Sequence, residues 1–297
     1  MILKGRKIWF LYSLVVCLGC LLCALSMVSV KGYAMPFYAL SPKFLTERAS
    51  FSTYYKNSSS ERKHNIRLAT KSIDGYILDV GAEFSFNRVV GERTERRGYK
   101  SAKIIVGGEF VDGVGGGVCQ VSTTLYNAVV LSGLKVSEYH NHSLAVSYVS
   151  PSRDAMVNSN SSDLRFINDT KNPIIIRAKA DGERVEIKII GEPKKFIYKI
   201  ESEVLETIPA PEYVVKTDDK GEYPDLYEGE RLYLSYAKDG LKSRSVLIKY
   251  KDGVVVEKTR LRTDTYKAVQ GKVVIGTTPR PTLDENEKDT IEGVFLF

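Results

Sequence analysis

The residues able to do chemistry lie close together, between Gly115 and Asp154, in GGGVCQVSTTLYNAVVLSGLKVSEYHNHSLAVSYVSPSRDA. Cys119 follows three consecutive glycines, Gly115 to Gly117, and His140 and His142 stand downstream. A thiol attacks as its thiolate, and a helix N-terminus or a nearby cation favours that form. An imidazole beside it supplies the base and later the acid, and a carboxylate orients the imidazole. The expected nucleophile is therefore Cys119, with His140 or His142 as base and Asp154 as orienter; Glu138 is the alternative orienter. Gly116, Gly117, Gln120 and Arg153 are expected to contact substrate or hold an oxyanion through loop N–H groups and a guanidinium. Cys119, His140 and His142 together would also suit zinc. No carboxylate stands at ligand spacing, however, and the glycines would have no purpose. No metal and no cofactor is expected.

The elements around these residues give the spacing its meaning. Val121, Leu125, Ala128 and Val129 recur at helical spacing and Gly133 is a natural stop, so Cys119 opens a helix. In the stretch that follows, Val136, His140, His142, Leu144, Val146 and Tyr148 occupy alternate positions and share one face of a strand. A helix over 119–132 covers about 20 Å at ~1.5 Å per residue. A strand returning from residue 135 recovers that length in roughly six residues. An antiparallel pairing of the two brings the histidines back beside the cysteine. The estimate falls between them, and His142 is favoured as the base.

The rest of the chain sets the context. Among its 297 residues, 43% are apolar, 27% charged and 10% aromatic, which excludes a disordered, collagen-like or polytopic membrane chain. The net charge of +7 is misleading, because Lys4, Arg6 and Lys7 precede the first apolar run and the remainder is nearly balanced. No nucleic-acid partner is expected. Ile8 to Val30 is free of charge and long enough to cross a bilayer, so a single N-terminal transmembrane helix over 8–30 is expected behind a cytoplasmic tip, 1–7. A cleaved signal peptide and a lipid-attached leader are the alternatives. Cys17, Cys20 and Cys23 fall inside that run, which leaves Cys119 as the lone thiol of the exported portion.

Beyond a stalk, 31–49, residues 50–191 read as an α+β catalytic-type domain. Its first helix, ERKHNIRLATKSI, is capped by the cluster Asn57 to Ser60 and stopped by Gly75. Residues 192–277 alternate with period two and read as a small all-β module, with Asp239-Gly240 and Asp252-Gly253 as hairpin turns. The module holds no His and no Cys, so it is expected to leave the chemistry to the first domain. Residues 278–297 read as a disordered tail.

AEFSFN at 82–87, VGERTERRGY at 90–99, GGGVCQVSTTLYNA at 115–128, HNHSLAVSY at 140–148 and RDA at 153–155 resemble the VanW domain, over roughly residues 50–191. That family takes its name from an accessory protein of glycopeptide-resistance clusters. The β module resembles, more loosely, the small glycine-named β domain appended to Gram-positive cell-wall proteins. The first resemblance implies action on peptidoglycan, some members being cysteine-dependent L,D-transpeptidases, with Cys119, His140 and His142 at the matching positions. Ala145 and Ser150–Ser152 depart from the family pattern, which often has Pro and a Pro-Gly-like turn there. The resulting expectation is a transpeptidase that cross-links stem peptides through a Cys119 thioester, with peptidoglycan peptides and glycan as partners. It would be held by its anchor in the cell membrane, with its domains extracytoplasmic at the wall. A non-catalytic wall-binding protein, or another cysteine acyltransferase or peptidase of the surface, is the alternative.

Overall fold

A computed structural model describes residues 46–106, 109–159 and 161–281. In chain order the first region contains β1 (Thr46–Tyr54), α1 (Ser60–Ile73), β2 (Ile77–Leu78), β3 (Glu83–Ser85), α2 (Phe86–Val90), β4 (Ser101–Val106) and β5 (Glu109–Val114). It continues with α3 (Val118–Ser132), β6 (Lys135–Glu138), β7 (Arg165–Ile167), β8 (Ile174–Ala180) and β9 (Arg184–Gly191). Strands β1, β9, β8 and β2 form an antiparallel sheet in that order.

The core follows from two periodicities meeting. Val185, Ile187 and Ile189 alternate inward along β9, joined by Ile174 and Ile176 of β8. Against them α1 lays Ile66, Ala69 and Ile73, and α3 lays Val121, Leu125, Ala128 and Val129, all fully buried. Each large aliphatic side chain placed there stabilises the fold by ~1.5–3 kcal/mol. The ends of the helices are set chemically. The Ser59 hydroxyl accepts from the Arg62 N–H at 3.2 Å, and Gly133 closes α3 at φ 80°.

The second region holds β10 (Ile197–Ile208), β11 (Val214–Thr217), β12 (Arg231–Ser235), β13 (Gly240–Lys251), β14 (Val254–Tyr266) and β15 (Lys272–Ile275). They make two three-stranded sheets, β10-β13-β14 and β11-β15-β12, the second with β11 parallel to β15. Asp252 and Gly253, at φ 51° and 81°, turn β13 into β14 as their pairing requires. Asp239-Gly240 is not a hairpin turn. Gly240 starts β13 opposite Ile208, where a Cβ would lie 2.5 Å from the Tyr266 carbonyl oxygen.

The expected fold class is corrected. The described residues are mostly β, 44% strand against 16% helix, because among them only α1 and α3 keep a helical apolar period for more than one or two turns. The expected transmembrane helix at 8–30 lies outside the described residues, as do the tip and most of the tail. No helix among the described residues is long and apolar enough to cross a membrane. β1 opens at Thr46, ahead of the boundary drawn at residue 50.

Candidate functional site

The three glycines before Cys119 have separate reasons to be glycine. Gly115 and Gly117 adopt φ of 89° and 107°, which a side chain strains against, and Gly117 is the N-cap of α3. Gly116 is pressed on β4, where a Cβ would meet the Ala102 and Lys103 backbone at 2.8 Å, and its carbonyl accepts from Asn65 Nδ2. The loop thus lets protein main chain approach protein main chain. Gly117 lines a cleft of about 940 Å³ that also holds Arg62, Arg93, Cys119, His142 and Tyr148; Gly116 is buried away from it.

From that loop α3 presents a polar stripe to the segment 153–157. Cys119 Sγ contacts the Val157 carbonyl at 3.3 Å, and Ser122 Oγ donates to the Ala155 carbonyl at 2.6 Å. Thr123 Oγ1 accepts from the Ala155 N–H at 2.9 Å, and Asn127 Nδ2 donates to the Arg153 carbonyl at 2.8 Å. Eight helical residues rise about 12 Å, and four extended residues cover about 13 Å, so the two run in step. Residues 153, 155 and 157 address the helix, and Asp154 between them is turned the other way.

Asp154 faces His142. One carboxylate oxygen accepts both the His142 N–H and its Nδ1, each at 2.7 Å. That fixes the ring through Nδ1 and leaves Nε2 free, with His142 near enough to the Cys119 sulfur for each to shift the other's titration. The pair is buried, with side chains 6% and 1% exposed. Burial pushes the Cys119 thiol up, but the neighbouring His142, with the charge of Arg93, brings it below its ordinary value. Burial likewise opposes a charged His142, yet Asp154 and Cys119 outweigh it and raise the ring to about 9. Asp154 is held low against burial by His142, Arg262 and Tyr266. The Sγ contact with Val157 belongs to the protonated thiol. Passing that proton to Nε2 gives a thiolate–imidazolium pair. Tyr148 stays a phenol, pushed up by burial and the adjacent sulfur.

The other expected residues are placed differently. The segment read as one strand from 135 to 149 stops at Glu138, because the His142 N–H bonds Asp154 and the His140 carbonyl accepts from Met156 instead of a neighbouring strand. His140 therefore does not share a face with His142. Its ring, 38% exposed, pairs at 3.0 Å with Glu138, which also binds Arg165, so neither His140 nor Glu138 joins the cysteine. The three-residue set weighed for zinc is not assembled. Gln120 is buried and bonds Thr53, Tyr54 and Arg62, acting as a strut at the cleft wall. Arg153 bonds Asn127 and lies over the Phe51 ring, away from the sulfur.

Two residues of the second region complete the carboxylate's surroundings. Tyr266 Oη donates to the other Asp154 oxygen at 2.5 Å, and Arg262 Nη1 donates to the Asp154 carbonyl at 2.6 Å. Arg262 is anchored in turn by Asp264 at 2.6 Å and by the Tyr139 ring, 4.5 Å away. The expectation that the β module stays apart from this site is thereby corrected. No local motif marks either residue. Their one sequence signal is an Arg and a Tyr on alternating inward positions at the end of β14.

Comparison with known proteins follows the same division. Residues 61–190 match the family described as VanW like protein, and residues 200–278 match the G5 domain. The uncharacterized protein YoaR of Bacillus subtilis is 51% identical over 130 residues, 44% of this chain and 43% of that protein. The vancomycin B-type resistance protein VanW of Enterococcus faecalis is 26% identical over 143 residues, 46% of this chain and 52% of that protein. The chain thus spans about half the length of the curated relatives it matches. Among solved structures, the G5 domain of IgA1 protease aligns with 28% of the chain and 90% of its own length, at 24% identity and a TM-score of 0.19.

Proposed function

We propose that this chain, in which a VanW-like domain at 61–190 precedes a G5 domain at 200–278, is a cell-wall-associated cysteine acyltransferase. Its reaction would be an L,D-transpeptidation that joins peptidoglycan stem peptides. The observation that carries this reading is the buried Asp154–His142 pair aimed at Cys119 on the wall of an open cleft. The Cys119 thiolate attacks a backbone carbonyl of the donor stem. As the carbon–nitrogen bond breaks, the imidazolium Nε2 of His142 gives its proton to the leaving amine, and a thioester remains. An amine of a second stem then attacks the thioester and loses its proton to His142. The carbon–sulfur bond breaks, and a new amide and the thiolate result. The Cys119 N–H, in the first turn of α3, and the hydroxyl of Tyr148, which lines the same cleft, would steady the oxyanion. The wall glycan is the proposed ligand of the G5 domain, and the protein would work outside the cytoplasm.

The test is the full chain incubated with disaccharide-tetrapeptide and read by mass spectrometry. A thioester adduct on Cys119 and a cross-linked dimer are expected. A hydrolysed donor without dimer would indicate a peptidase instead. A specific observation favours the non-catalytic alternative: Cys119 is also one rung of the polar stripe that holds 153–157. Absence of any adduct on a folded protein would select that reading.

A further inference from the structure

The cleft beside Cys119 has a one-sided charge, of which the acyl-transfer scheme uses only the effect of Arg93 on the thiol. Arg62, Arg93, Lys103 and Lys238 line it, and among the described residues no Asp or Glu does. The two lysines are ordinary: Lys103 pairs with Asp112 at 3.0 Å on an exposed hairpin, and Lys238 reaches the Ala145 carbonyl at 3.4 Å. The arginines are different. Each makes its side-chain hydrogen bond to a neutral amide, Arg62 to Gln120 at 2.9 Å and Arg93 to Asn87 at 2.6 Å. Neither has a carboxylate at ion-pair distance among the described residues. One N–H of each fork is engaged, and both forks are only partly buried.

Their stems pack on the two end glycines of the loop. A Cβ on Gly115 would lie 2.9 Å from the Arg93 Cβ, and one on Gly117 would lie 3.0 Å from the Arg62 Cγ. Two arginines that line the cleft thus start from the loop that delivers Cys119. The Gln120 amide holds one and the Asn87 amide with the Phe86 ring holds the other. A planar fork matches a carboxylate through two parallel hydrogen bonds. We infer that Arg62 and Arg93 form a carboxylate clamp. It would bind a donor peptide through an acid group within about one residue of the carbonyl that Cys119 attacks, and exclude peptides lacking that group. The inference rests on the reading of the cleft as the donor site. It identifies the substrate class as an acidic peptide, whose carboxylate is either the free C-terminus of the leaving residue or a side chain next to the scissile bond.

The competing role for these arginines is purely electrostatic, since a cation near the sulfur favours the thiolate whatever the peptide. Substrate variation separates the two. Binding of three stem tetrapeptides to full-length Cys119→Ser protein is measured by calorimetry: one with free carboxylates, one amidated at the C-terminus, one amidated on its side chains. The same peptides are then titrated against Cys119→Ser protein that also carries Arg62→Gln, Arg93→Gln or the corresponding Lys changes, and thioester formation is read separately with the active protein. The clamp predicts a roughly 10–100-fold weaker Kd for the peptide lacking the recognised carboxylate. It also predicts that in this background the Gln variants weaken binding of every peptide that keeps the recognised carboxylate by a similar factor, while binding of the peptide lacking it is unchanged. The amidated peptide whose binding the variants do not change identifies the carboxylate, and Lys should restore only part of the loss. Equal binding of all three peptides, or an equal loss on all three in the variants, overturns the clamp. Carboxylate-dependent binding with no thioester on any peptide would instead overturn the acyl-transfer reading and leave the clamp standing.

Discussion

Cys119 reaches the cleft from one unbroken stretch, in which Gly115 to Gly117 shape the loop and α3 fixes the sulfur against segment 153–157. Asp154 is held by groups from two regions: His142 in the loop before it, and Arg262 and Tyr266, which follow it by 108 and 112 residues. The sulfur side is thus a local construction that survives as long as α3 is capped and packed. The carboxylate side draws two of its partners from the end of β14. The all-β module, which carries no nucleophile of its own, sets the orientation and charge of the group that orients the base.

The largest effect is expected on the local side. Cys119→Ser keeps a donor for the Val157 carbonyl and so keeps the stripe along α3, but the hydroxyl ionises far less readily than the thiol. Transfer should fall by about 10⁴-fold or more with thermal unfolding unchanged. A folded Ser variant with full turnover would mean that the sulfur is a structural rung only.

Next comes the carboxylate itself. Asp154→Asn removes the charge that raises His142, and turnover should drop by roughly 10²–10⁴-fold. The pH profile carries the sign. The reactive pair needs a protonated His142, so the wild-type rate should decline as pH rises through about 9. In the Asn variant that alkaline limb should move to lower pH. Stability follows the same linkage. A histidine whose pKa is raised on folding stabilises fully below its unfolded value near 6.5 and loses that contribution as pH rises through about 9. Denaturant titrations should therefore show a wider gap between wild type and Asp154→Asn at pH 6 than at pH 10.

The difference between the two sides also governs what the sequence discloses. Ser59, Gly75, Gly117 and Gly133 act through the backbone beside them, so the bounds of α1 and α3 can be read from residue types. Val185, Ile187 and Ile189 declare their strand in the same way. His140 and His142 are another matter. Two residues apart in sequence, they are separated because one backbone N–H bonds a side chain instead of a strand, and alternation cannot foresee that. The counter-charge at Arg262 is harder still, since its value to Asp154 arises from a docking that no spacing encodes. The stripe of Cys119, Ser122, Thr123 and Asn127 lies between these cases. Its helical spacing is visible, but that its partner is the main chain of 153–157 is not.

Arg262 tests the long-range side more gently than the carboxylate does. Arg262→Met fills much of the same space but leaves Asp264 buried without its cation and the Asp154 carbonyl without its donor. Removing one partner of such a pair costs about 3–5 kcal/mol, seen as a lower denaturant midpoint. Activity of the fraction that remains folded should fall by about 10²-fold through displacement of the 153–157 segment. Loss of stability with unchanged turnover would confine the module to a structural role and narrow the contrast between the two sides.

The smallest change probes a single hydroxyl. Tyr266→Phe removes the donor to one Asp154 oxygen and the acceptor for the Ser152 N–H, which lies 2.7 Å from it, while the ring keeps its place. The cost in stability should be about 1 kcal/mol, and turnover should fall by a similarly small factor, roughly five-fold, with KM unchanged. Two effects act here in opposite directions. Without the phenol, the carboxylate is less restrained and aligns His142 less well, which lowers the rate. It also keeps more of its negative charge for the imidazole, which raises the pKa of the ring. Positioning by Tyr266 therefore predicts a slower enzyme whose alkaline limb stays at about 9 or moves higher. If the limb moves down together with the rate, as in Asp154→Asn, the phenol acts by keeping Asp154 charged, and the module's part in the site is electrostatic.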